Sequence, residues 1–186
     1  MGGIVGSDGL TDDDRDESKW LQSDKDCEGC GENIQYADEC VLLRLVYPAP
    51  YNGEVTLLDA LEEDGSYTAE PLLFCYECWD GYAEDLRTNL NDMFVTKKTS
   101  ASPSPLRCSF CSKPLNWGDY CCYAAYGELG VSPRTQEATF TPSKYESVEH
   151  AELLCLDCLA WINEEHDENI WTHLWVEEGV LDGSEG

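Results

Sequence analysis

Basic side chains are scarce in this chain of 186 residues: 11 Lys and Arg stand against 38 Asp and Glu, a formal net charge of −27. A surface of that sign repels a phosphate backbone, whose counterions are normally displaced by Lys and Arg, and it is disfavoured at anionic lipid for the same reason. Nucleic acid is therefore the less favoured partner. Long apolar runs are missing as well. Val41-Leu42-Leu43 stops at Arg44, far short of the roughly 20 residues that span a bilayer, so no membrane association is expected. Met1 to Leu10 has neither the basic n-region nor the apolar core of a secretory signal, and Gly6 stands where a myristoylation motif requires Ser or Thr. The expected compartment is intracellular and reducing. Aliphatic bulk is thin too: Leu, Ile, Val and Phe make up about 20% of the chain, the border at which high charge begins to predict disorder.

What the chain has in excess is ten Tyr, six Trp and 11 Cys. The aromatics supply buried area that the aliphatics lack. In a reducing compartment, paired cysteines hold metal more often than they form disulfides. The pairs also reveal a duplication. Cys27-x-x-Cys30 recurs as Cys108-x-x-Cys111, and Cys75-x-x-Cys78 recurs as Cys155-x-x-Cys158. Between these anchors Ile34 matches Leu115, Tyr36 matches Trp117, Asp38 matches Asp119 and Cys40 matches Cys121; further on, Leu73-Phe74 matches Leu153-Leu154 and Glu84-Asp85 matches Glu164-Glu165. Apolar and acidic positions agree along with the cysteines, so the chain reads as one unit written twice, with one deletion in the hairpin region.

Two Cys-x-x-Cys pairs complete the tetrahedral four-sulfur shell of a closed structural zinc site. The expected ligands are Cys27, Cys30, Cys75 and Cys78 for one Zn²⁺, and Cys108, Cys111, Cys155 and Cys158 for a second. Rubredoxin-like iron is the rival metal. After the first pair, Cys40 to Tyr47 reads as a strand ended by Pro48; Asn52-Gly53 is a hairpin turn signal, and Val55 to Leu58 reads as the return strand. Trp79, Tyr82, Ala83 and Leu86 have helical spacing, as do Leu159, Ile162 and later Ile170 and Leu174. Knuckle, hairpin and a helix whose first turn holds the last ligands make a treble clef. The expected fold class is thus small α+β, two tandem treble-clef zinc modules at 23–96 and 106–178. An acidic arm at 1–22, a Ser/Pro linker at 97–105 and an acidic tail at 179–186 surround them. The charge divides as −13 over residues 27–94 and −12 over residues 108–186, while the linker is basic.

Each copy resembles a treble-clef zinc finger, and Arg107-Cys108-Ser109-Phe110-Cys111-Ser112-Lys113 resembles the opening of the zinc-binding domain of the ClpX unfoldase. The likeness extends to small acidic Cys-x-x-Cys proteins of haloarchaea and their viruses. It implies a module for protein contacts and dimerisation. With no G-x-x-x-x-G-K-[ST] motif in the sequence, it does not imply unfoldase activity. A viral origin would make the protein virion-associated.

The remaining candidates read as structural. Cys40 and Cys121 are expected in the core of the first hairpin strand, and Cys122 exceeds the ligand requirement. His150, His166 and His173 all fall in the second copy, without the pattern of an HNH nuclease, and read as surface residues. Glu62-Glu63-Asp64 and Glu164-Glu165-His166-Asp167-Glu168 read as solvated charge runs. Trp171 and Trp175, four apart, are expected to face the core against the second hairpin. No catalytic residue is assigned. The expected role is a non-catalytic zinc protein acting through a protein partner or self-association; the alternative is a zinc-finger regulator that touches nucleic acid at high salt, where screening shortens to about 3 Å.

Overall fold

A computed structural model describes residues 23–89, 103–143 and 152–174. The arm at 1–22, residues 97–102 of the linker, the tail at 179–186, His150 and Trp175 lie outside them. The described chain is a small α+β structure built on antiparallel sheet. In order it runs β1 (Glu39–Tyr51), β2 (Glu54–Asp59), β3 (Leu72–Cys75), α1 (Tyr76–Asn89), β4 (Pro103–Arg107), β5 (Pro114–Asn116), β6 (Cys121–Val131), β7 (Ala138–Pro142), β8 (Glu152–Cys155) and α2 (Leu156–Glu165). The duplication is visible as hairpin, return strand and helix, twice.

The two halves share one six-stranded sheet. β1 carries β3 and then β2 along one edge and β6 along the other, while β6 carries β8 and β7 in the same way. The register of β1 against β6 pairs Glu39 with Glu128 and Val46 with Cys121, which places Leu43 opposite Ala124. Those two are counterparts in the repeat, so the pairing maps onto itself about a pseudo-two-fold axis at Leu43 and Ala124. Beyond the sheet, each half hydrogen-bonds to the other's strand. Ala37 N–H donates to Leu129 O at 2.7 Å, and its counterpart Gly118 N–H donates to Pro48 O at 3.0 Å.

Alternation along β1 sends Val41, Leu43 and Leu45 to one face, opposite Tyr126, Ala124 and Cys122 of β6. Phe74 lies on this face, paired with Val41, and its ring is 5.8 Å from that of Trp79 in α1. The helix therefore packs here, burying Trp79, Tyr82, Ala83 and Leu86 as the spacing predicts, while α2 buries Cys158, Leu159 and Ile162. Each fully buried large side chain contributes about 1.5–3 kcal/mol. The aromatic residues thus carry much of the core. Cys40, Cys121 and Cys122 are buried in it as well.

Five expectations need correction. The first strand does not end at Pro48 but runs through Pro50 to Tyr51. Pro48 O accepts from Gly118, on the side away from β2, and the N and O of one strand residue share a side. The N–H that each proline lacks would therefore point away from the β2 ladder, where Pro is tolerated. The second helix stops at Glu165 instead of continuing through Ile170 and Leu174: Asp167 takes a φ of 54°. The Asn163 amide then closes the turn, donating to Ile170 O and accepting from Ile170 N, both at 2.9 Å.

The linker's Pro103-Ser104-Pro105 lies in β4, paired with β5. Trp171 is buried, but in a turn and not a helix, and its Nε1 donates to Glu70 O at 2.9 Å, which ties it to the first half. Finally, the one-residue difference between copies is a net result. The first hairpin turns over Asn52-Gly53 with both φ positive, as its signal predicts, whereas the second uses residues 132–137 and has a shorter return to its last strand.

Candidate metal centres

Each Cys-x-x-Cys pair sits on a local structure that aims its sulfurs. In the knuckles, Cys27 N–H donates to Glu32 O and Gly31 N–H to Cys27 O, both at 2.8 Å; Cys108 N–H donates to Lys113 O at 2.9 Å and Ser112 N–H to Cys108 O at 3.0 Å. The turn needs a left-handed residue, Gly31 at φ 72° and Ser112 at φ 58°. The knuckle is tied to the return strand by Glu28 N–H to Leu73 O at 3.0 Å and by Ser109 N–H to Leu153 O at 2.7 Å. The other pair in each half spans a strand end and a first helical turn: Cys75 closes β3 with Cys78 in α1, and Cys155 closes β8 with Cys158 in α2. Free amide N–H groups at such a helix start favour thiolate.

The result is two groups of four thiols, Cys27, Cys30, Cys75 and Cys78, and Cys108, Cys111, Cys155 and Cys158, each with all sulfurs within 4.8 Å of one another. Pairing is sequential within each half. Sulfur separations of 4.0 Å for Cys30 and Cys75, 3.6 Å for Cys108 and Cys158 and 3.5 Å for Cys111 and Cys155 bracket the edge of about 3.8 Å of a tetrahedron with metal–sulfur bonds of about 2.3 Å. The donor set fits one soft-liganded tetrahedral ion in each group, and all 11 cysteines are free thiols.

The electrostatics follow from the same contacts. Burial opposes ionisation of Cys27, but N–H groups of Cys30, Cys75 and Gly29 hold its thiol below the ordinary range, with Cys75 N at 3.2 Å. Cys108 is lowered further, to about 2, chiefly because Cys155 and Cys158 donate S–H bonds to it. Its neighbours rise in exchange. In contrast, burial pushes Cys40 and Cys121 up to about 12 and Cys122 well above its usual value. Each group thus has one lowered thiol, Cys27 or Cys108, set among raised ones at Cys75, Cys78, Cys111, Cys155 and Cys158; the three core thiols have no such role and stay protonated.

Among the described residues, no His, Asp or Glu joins either group. His166 is not a free surface residue: its ring lies 4.7 Å from that of Tyr82, with Nε2 3.4 Å from Asp85, between the two helices. His173 is exposed. Asp64 accepts from Ser66 N at 2.9 Å and Ser66 Oγ at 2.6 Å, the local turn that holds its carboxyl low.

Three side-chain contacts between the halves or beside the centres escape the sequence patterns. Glu152 accepts from Trp79 Nε1 at 3.1 Å, Tyr126 OH at 2.6 Å and Arg87. Its counterpart in the first half is Leu72, a mismatch visible in the repeat. Tyr82 OH bonds Glu168 and sits where a Cβ on Gly29 would come within 2.7 Å of it. Lys113 pairs with Asp157 beside the second group; burial opposes its charge, but Asp157 and the thiolates of Cys155 and Cys111 hold it above its ordinary range.

No known protein family, curated protein or solved structure matches the chain. Its description therefore rests on its own geometry: two groups of four cysteines, each able to hold a metal ion, in a small α+β fold. Among the described residues, no helix is long and apolar enough to cross a membrane.

Proposed function

We propose that this chain is a non-catalytic zinc protein, two treble-clef modules joined edge to edge through one sheet, whose ions hold the fold while its surface makes protein contacts. The observation that carries the reading is the donor set. Four sulfurs surround each centre with, among the described residues, no other ligating side chain in the group, and a tetrahedral ion held by four thiolates keeps no position for an activated water. Zinc, when bound, supplies folding free energy, about 10–16 kcal/mol apparent in finger peptides. That contribution offsets the thin aliphatic core.

Two further features support the interaction role and its setting. Leu58 and Tyr120 are exposed, Leu58 lies opposite Tyr47 across the hairpin, and the Tyr47 and Tyr120 rings are 6.5 Å apart, so these three form an apolar spot on an otherwise acidic protein. The acidic excess covers both halves almost evenly, which suits a surface adapted to concentrated salt, as in a haloarchaeon or its virus. The test is removal of the metal from the full chain by a chelator, followed by circular dichroism. Structural ions predict loss of the fold in one step and its return with zinc. Retention of the fold without metal would defeat the proposal.

A further inference from the structure

The two sulfur groups have the same ligands and different surroundings. In the second, Cys108, Cys155 and Cys158 are all buried and only Cys111 is partly exposed. In the first, Cys27 alone is buried, Cys75 and Cys78 are half-buried, and Cys30 stands exposed. The charges differ as well. Lys113, two residues after Cys111, is held beside the second group by Asp157. The first group meets the Tyr82 hydroxyl, itself bonded to the Glu168 carboxylate, and Glu28, Glu32 and Glu77 flank its cysteines in the chain. With the ligands of both groups held as thiolates by their metal, a neighbouring cation adds no thiolate character but draws electron density from the sulfur, whereas carboxylates leave it nucleophilic. Oxidation of cysteine follows thiolate character and exposure together.

Resting on the zinc reading above, we propose that the first centre is an oxidant-sensitive metal site, with Cys30 the thiolate that a hydroperoxide reaches and Cys75 its resolving partner. The Cys30 sulfur gives an electron pair to a peroxide oxygen; an S–O bond forms, the O–O bond breaks, and the departing hydroxide takes a proton from solvent. Cys75, whose sulfur is 4.0 Å from that of Cys30, then attacks the oxidised sulfur. An S–S bond forms, the S–O bond breaks, and the second oxygen leaves as water after protonation. Two thiolates have lost two electrons and the peroxide has gained them. With half of its donors in a disulfide, the first group no longer holds its ion, while the buried second group keeps its own.

The test uses the full chain loaded with zinc and treated with hydrogen peroxide, with released zinc read by a chromogenic chelator and cysteines mapped by alkylation and mass spectrometry. About one zinc ion per chain should leave in a phase about tenfold faster than the other, accompanied by a Cys30–Cys75 disulfide. Cys30→His, which retains four ligands, should hold two ions and lose the fast phase. Equal rates, earlier loss from the second centre, or a fast phase whose disulfide omits Cys30 would overturn the proposal. A chain that carries no metal before peroxide is added would instead defeat the zinc reading itself, and this proposal with it.

Discussion

Replacing Glu152 by Ala removes a carboxylate that three donors share across the two halves. Trp79 Nε1 and Arg87 come from the first half and Tyr126 OH from the second, with Glu152 on β8 between them. The Trp79 side chain is fully buried, so its N–H would lose its acceptor without water to replace it, a cost of about 1–3 kcal/mol. The Tyr126 hydroxyl, half-buried, adds about 0.5–1 kcal/mol. Arg87 is 51% exposed, and its ion pair contributes at most about 1 kcal/mol after solvent screening. Glu152→Ala should therefore destabilise the zinc-loaded chain by about 2–4 kcal/mol, and Glu152→Gln, which retains an acceptor oxygen, by about 1 kcal/mol. Urea unfolding followed by both tryptophan fluorescence and far-ultraviolet circular dichroism measures this. The shared sheet predicts a single transition moved to lower urea with an unchanged slope. A shift below about 0.5 kcal/mol would refute the buried-donor argument. Two separate transitions, only one of them moved, would refute the coupling of the halves.

Gly127→Ala should destabilise by about 2 kcal/mol or more in the same assay, because its Cβ would lie 2.2 Å from Thr141 O and 2.9 Å from Pro142 Cα, both backbone atoms. Ala37, at φ 69°, stands where the second half uses Gly118 at φ 80°; Ala37→Gly should stabilise the chain by about 0.5–1 kcal/mol, read as a higher urea midpoint, as left-handed strain is relieved. Cys40 and Cys121 ionise near 12 when folded but near 9 when unfolded, so the unfolded chain loses its protons first as pH rises. Their contribution to stability is complete below pH 9 and is lost between pH 9 and 12, which unfolding at stepped pH would reveal; at pH 8 neither thiol should react with iodoacetamide in the native chain.

Much of the candidate site was legible because its signals are local. Cys-x-x-Cys spacing, the Asn52-Gly53 turn and the apolar stripe of Trp79, Tyr82, Ala83 and Leu86 each depend on residues within one or two turns of one another. The duplication then favoured pairing within each half over a crossed scheme between the halves, and the sulfur groups are sequential. What escaped was whatever depends on the halves meeting. No local pattern distinguishes two modules on a linker from two that share a sheet, and the register that sets Leu43 against Ala124 is a long-range choice. The same holds for Trp171, whose partner Glu70 is 101 residues away. Pro48 misled for a related reason. Proline ends a strand where its N–H is needed, and here the neighbouring half determines that it is not. The Glu152 site was announced only faintly, by a charged residue standing where the first copy has Leu72.

Native mass spectrometry of the full chain, combined with elemental analysis, tests the central claim most directly. The two sulfur groups predict two zinc ions per chain, a mass restored by zinc after chelation, and 11 reduced cysteines once the metal is removed. A metal-free native chain, or a mass lowered by disulfides between the Cys-x-x-Cys pairs, would contradict it.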